Sequence, residues 1–127
     1  MTTQDQPEPT AATTPGAPAA AADLWPTIDA LWTWLDANQA RDGREALLLR
    51  MLKLSEEVGE VAQAAIGATG QNPRKGTTHT WDDVQGELCD VVITALVALR
   101  TLTPEPEAVF VRHLGRVAER SLAPKAQ

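Results

Sequence analysis

An all-α fold, a four-helix bundle behind a disordered N-terminal tail, is predicted by three features of the 127-residue sequence. Two long stretches, about 43–67 and 81–102, repeat apolar residues at alternating spacings of four and three, the signature of helices packed along a seam. No segment alternates apolar and polar residues as a half-buried strand does, and no internal repeat is present. Clusters of Pro, Gly, Asn and Thr fall between the periodic stretches and mark their ends.

Residues 1–22 differ from the rest, with 16 of 22 positions Ala, Thr or Pro and no Lys or Arg. Such a segment has little large apolar surface to set against the entropy of ordering, so it reads as a disordered tail, a linker or a start-site extension. Residues 23–127 read as one domain. Its first helix begins near Pro26, a favoured first-turn residue, and runs to about Ala40 with Ile28, Leu31, Trp32 and Leu35 facing inward. Asp42-Gly43-Arg44-Glu45 has the form of a capping box and opens the second helix, which continues to about Gly67. Its expected seam is Leu47, Met51, Leu54, Val58, Val61 and Ala65. Gly67, Gly70, Asn72, Pro73 and Gly76 make a loop, and Thr80 with Asp83 signals a new N-terminus. The third helix extends to about Leu102 with Val84, Leu88, Val91, Ala95 and Leu99 as its seam. Thr103 and Pro104 end it and lead into a fourth helix carrying Val109, Phe110, Leu114 and Val117, which stops before Pro124.

Composition narrows the functional classes. A net charge of −6 argues against general nucleic-acid binding, while leaving open nucleotides that arrive with their own magnesium. The single Cys89 excludes an internal disulfide and suits a reducing compartment; lying between acidic residues on another helical face, it reads as packing. No apolar run is long enough to span a membrane and no secretion signal opens the chain, so a cytoplasmic protein without membrane contact is expected. With four Trp and one Phe the core is aromatic-poor, and the helix surface left uncovered at this length predicts a homodimer or homotetramer.

Two acidic pairs of identical spacing, Glu57-x-x-Glu60 and Glu87-x-x-Asp90, interrupt the two long apolar helices. Residues three apart share nearly one helical face, so each pair forms a pincer. Both pincers sit one residue before seam positions, and antiparallel packing would bring all four carboxylates together. Like charges ~5 Å apart repel by ~3 kcal/mol at an effective dielectric near 20. Lys53, four residues before Glu57 in the less favourable orientation, is too little to offset that. A hard divalent cation fits: Mg2+ takes oxygen ligands and keeps waters for a bound phosphate, with Mn2+ as a substitute, whereas zinc favours His and Cys. A carboxylate-bridged di-iron site would need Glu-x-x-His on two helices, and neither His79 nor His113 has Glu three residues earlier.

The run Leu54-Ser55-Glu56-Glu57-Val58-Gly59-Glu60-Val61-Ala62, followed by Glu87-Leu88-Cys89-Asp90-Val91-Val92, resembles the MazG-like branch of the all-α nucleoside triphosphate pyrophosphatases over roughly residues 28–120. The resemblance implies a four-helix unit that dimerises or forms tetramers and uses Mg2+ to hydrolyse the bond between α- and β-phosphates. The nucleoside triphosphate substrate would yield a nucleoside monophosphate and pyrophosphate, in nucleotide-pool housecleaning. By resemblance Glu57, Glu60, Glu87 and Asp90 are the metal ligands. Glu56, four residues before Glu60, is the spare carboxylate for positioning or activating water.

Phosphate charge beyond the metal calls for basic groups, and Lys53, Arg74 and Lys75 are candidates, each with an ordinary alternative as an ion-pairing or solvated side chain. His113 and Arg116 on the fourth helix complete the set. The family often carries Lys and Asn in this region, where an ungapped comparison places His113 and Val117. That departure motivates an alternative: a nucleotide-binding or regulatory helical module with little hydrolysis. A purely structural oligomerising bundle is a third reading. Base recognition would use an aromatic face and polar edges; Trp81 is the candidate face, and Asn38 and Gln39 the candidate edges.

Overall fold

A computed structural model describes residues 23–125, and the expected tail at 1–22 lies outside the described residues. Four helices follow in order: α1 (Leu24–Asn38), α2 (Gly43–Thr69), α3 (Trp81–Leu102) and α4 (Pro106–Leu122). No strand occurs among the described residues. The central contact is α2 against α3; α1 packs on α3, and α4 touches α3 only lightly.

Local chemistry explains most of the boundaries. Thr80 and Asp83 form the expected reciprocal cap: the Asp83 backbone N–H donates to Thr80 Oγ1 at 3.2 Å, and the Thr80 N–H donates to Asp83 Oδ2 at 2.9 Å. Asp42 precedes α2 in extended conformation but makes no side-chain cap bond. Glu45 instead pairs with Arg41 at 3.6 Å, an exposed contact one turn back, so the capping box expected there does not form. Pro106 rather than Pro104 occupies the first turn of α4.

The α2–α3 connection is pinned where the backbone comes closest. Gly70 ends α2 with a left-handed φ of 64°, its N–H donating to the Gly67 and Ile66 carbonyls. The chain then returns so that the Thr78 N–H donates to the Gly67 carbonyl at 3.0 Å. A Cβ on Gly67 would collide with the His79 ring and with Thr78 Oγ1, so only glycine admits this approach. Early α2 residues lie beside late α3 residues, which makes the pair antiparallel.

The apolar core is small. Ile28, Leu96 and Val97 are buried together, with Trp25 and Trp32 packed against them. Arg100 caps this cluster, its guanidinium carbon 3.8 Å from the Trp32 ring centroid and its Nε donating to Asp29 at 2.8 Å. Leu31 and Leu35, expected inward, are each more than a third exposed, because the main contact of α1 is with α3 and centres on Ile28. α4 buries no residue; Trp25 meets Phe110 at 6.0 Å between centroids. No helix among the described residues is long and apolar enough to cross a membrane.

Candidate metal centre

Most of the expected α2–α3 seam is covered: Leu47, Met51, Leu54, Val61 and Ala65 on α2 and Val84, Val91, Ala95 and Leu99 on α3 are partly buried. Arg50, Glu57, Glu60 and Ala64, between the expected positions, turn inward as well, and Val58 is turned out to 52 % exposure. On α3 Glu87, Thr94 and Ala98 are likewise turned in, while Leu88 is 50 % exposed. Glu57 and Glu87 therefore lie in the seam rather than on its flank.

This phase brings three acids together. Carboxylate oxygens of Glu57, Glu87 and Asp90 lie within 4.8 Å of one another, with Glu57 and Glu87 half-buried and Asp90 exposed. The Glu57 side chain retains 12 % of its surface. Oε2 of Glu57 and Oε2 of Glu87 are both buried without a hydrogen-bond partner among the described residues. A buried carboxylate oxygen with no donor forfeits its hydration without return. Two such atoms beside a third carboxylate, in an oxygen-only set open on one side, fit a hard divalent cation with room for waters.

Electrostatics agree with the geometry. Desolvation holds the Glu57 carboxyl above its ordinary value; the charge of Glu60 adds to this, Lys53 opposes it, and Asp90 contributes in the same direction as Glu60. Glu60 thus lies beside Glu57, although it is outside the closest trio. Lys53 Nζ is 3.2 Å from Glu56 Oε1 and 3.6 Å from Glu57 Oε1. The hydrogen bond to Glu56 is the main cause holding the Lys53 ammonium above its usual value, against partial desolvation. Glu56 itself faces solvent and is engaged by Lys53 rather than by the acid trio.

The remaining candidates are dispersed. Arg74 and Lys75 are exposed in a turn closed by the Asn72 carbonyl, which accepts from Lys75 and Gly76. Trp81 is 59 % exposed on the first turn of α3. His113 and Arg116 are exposed on α4. Two residues that sequence reasoning passed over, Arg50, one position in the covered face before Leu54, and Arg41, line with Lys53 a cavity between α1, α2 and α3. The available signal was the regular run Leu47, Arg50, Leu54, Glu57, Val61, a heptad register with charged residues inside it. No family model, curated protein or solved structure matches the chain.

Proposed function

We propose that the chain is a Mg2+-dependent nucleoside triphosphate pyrophosphohydrolase of the MazG-like kind, releasing a nucleoside monophosphate and pyrophosphate. The observation that carries this reading is the pair of unpartnered carboxylate oxygens of Glu57 and Glu87, buried against each other's helix beside Asp90. Glu57, Glu87 and Asp90 would hold the ion, and Glu60 would complete the set. The bound ion supplies charge neutralisation at the phosphoryl oxygens and a more acidic water. Lys53, already between the acids and the adjoining cavity, is placed to exchange its carboxylate partners for a phosphate. Glu56 is the proposed acceptor of the attacking water's proton, a role that requires its pairing with Lys53 to open.

Self-association belongs to the same proposal. Leu48, Leu52 and Ile66 on α2 and Leu88, Val92 and Leu102 on α3 are each at least half exposed, in stripes of helical period that the intrachain contacts leave uncovered. A second copy covering them gives the homodimer or homotetramer expected from the sequence, and light scattering that finds an active monomer overturns it.

Pyrophosphate release from a panel of ribo- and deoxynucleoside triphosphates with Mg2+ tests the activity. Turnover that stops on chelation and returns with Mg2+ or Mn2+ is expected. No release from any member of the panel sinks the enzyme reading.

A further inference from the structure

Beside the carboxylates, the junction of α1, α2 and α3 encloses a cavity of about 350 Å³. Its walls are aliphatic, with Leu35, Ala46, Leu49 and Val97 prominent, and its polar groups are dominated by cations: Arg41, Arg50 and Lys53 line it and no carboxylate does. Arg50 is the most informative of them. Its Nη2 donates to Gln39 Oε1 at 2.9 Å, while Nη1 is buried and has no partner among the described residues. A guanidinium can only donate, so that N–H calls for an acceptor supplied from outside. Gln39 Oε1 meets Nη2 alone and leaves Nη1 without an acceptor.

We propose that this cavity is the base pocket of the nucleotide, and that it selects bases whose edge presents carbonyl oxygens, as uracil and thymine do, over bases presenting an amino group, as cytosine does. The assignment rests on reading the carboxylate cluster as the phosphate-and-metal end of the site. Two placements join the ends. Lys53 lines the cavity and touches Glu57 at 3.6 Å. Arg50 and Glu57 occupy the same seam of α2, about 10 Å apart along the axis at 1.5 Å per residue, a gap for a sugar and its first phosphate. The mostly aliphatic wall favours a flat heterocycle over a polyphosphate, which would leave that surface unused. The bases differ at the 4-position: O4 of uracil or thymine would accept from Arg50, whereas the 4-amino group of cytosine would set donor against donor there.

Calorimetric titration of the full chain with UMP and with CMP, both in excess Mg2+, tests the proposal without requiring turnover. UMP is expected to bind at least about tenfold tighter, the discrimination of one charged hydrogen bond. In Arg50→Met the two affinities should converge to within about twofold, whereas inorganic tripolyphosphate should bind as it does to the parent. Equal affinities for UMP and CMP in the parent, or binding of neither, overturn the base pocket, and that comparison needs no variant to fold. A parallel loss of tripolyphosphate in Arg50→Met also overturns it, because the cation would then serve phosphate. A parent that prefers UMP yet releases no pyrophosphate from UTP or dUTP keeps the pocket and removes the hydrolytic reading. Pyrophosphate release with equal UMP and CMP affinity does the reverse.

Discussion

Helix α3 is shared between two contacts of opposite character. Its C-terminal half gives Leu96 and Val97 to α1, where Ile28 is 2 % exposed and the buried cluster is apolar, with the Arg100–Asp29 pair at its edge. Its N-terminal half gives Glu87 and Asp90 to α2, where the seam places Glu57 opposite them and leaves two carboxylate oxygens without a donor. The first contact gains from burial; the second gives up burial to concentrate charge. One helix thus anchors the fold at one end and holds the candidate chemistry at the other, and mutations at the two ends should separate stability from activity.

The largest effect is expected at the apolar end. Ile28→Ala should lower unfolding free energy by about 2–5 kcal/mol, through lost burial and a residual cavity, with activity per folded molecule preserved. Urea titration followed by circular dichroism measures it; a loss well below 1 kcal/mol would show that α1 does not stabilise α3.

At the acidic end, Glu87→Gln should reduce turnover by more than about a hundredfold while leaving helicity intact, since an amide replaces a charged ligand and losses of this order follow even from changes around a metal's ligands. Because it removes one of the buried unpartnered charges, the same substitution should leave the metal-free chain no less stable than the parent. If Glu87→Gln unfolds as readily as Ile28→Ala, the contrast between the two ends collapses.

Mg2+ sharpens the comparison further. At a hundred times its dissociation constant it should stabilise the parent by about 2.7 kcal/mol, and Glu57→Gln should lose most of this gain, read as a shift in Tm. Ile28→Ala should retain it, since its defect lies at the other end of α3.

The smallest expected effect is that of pH. The raised Glu57 carboxyl binds a proton more readily folded than unfolded. Its contribution to stability is therefore complete below the ordinary glutamate range and is lost as pH rises through the higher folded value. Removing Glu57 with Gln should flatten that slope in the metal-free chain, and Mg2+ should flatten it in the parent by competing with the proton. A slope unchanged in Glu57→Gln assigns it to another group.

The four helices, their order and most of their ends were legible in the chain, because periodicity and capping act over a few residues. Thr80 with Asp83, Gly70 and the stop at Leu102 are of this kind. The Asp42–Glu45 box does not form: Gly43, the first helical residue, takes a left-handed φ of 57°, and Glu45 faces Arg41. The pairing of Glu57 with Glu87 and Asp90 was also foreseen, since it needs only two antiparallel helices and a short loop. The placement of these acids inside the seam was not. Most of the expected seam is covered, but Val58 and Leu88 turn out while Glu57 and Glu87 turn in, a rotation set by how the two helices meet.

What the sequence determined alone, then, is what neighbouring residues decide among themselves: helix, cap, turn, and two acids one turn apart. Which residues turn inward, how Arg50 loses its water beside an aliphatic cavity, and which apolar residues stay exposed were decided only by packing. Burial is a property of two surfaces in contact, and no single helix carries the information about the surface it will meet.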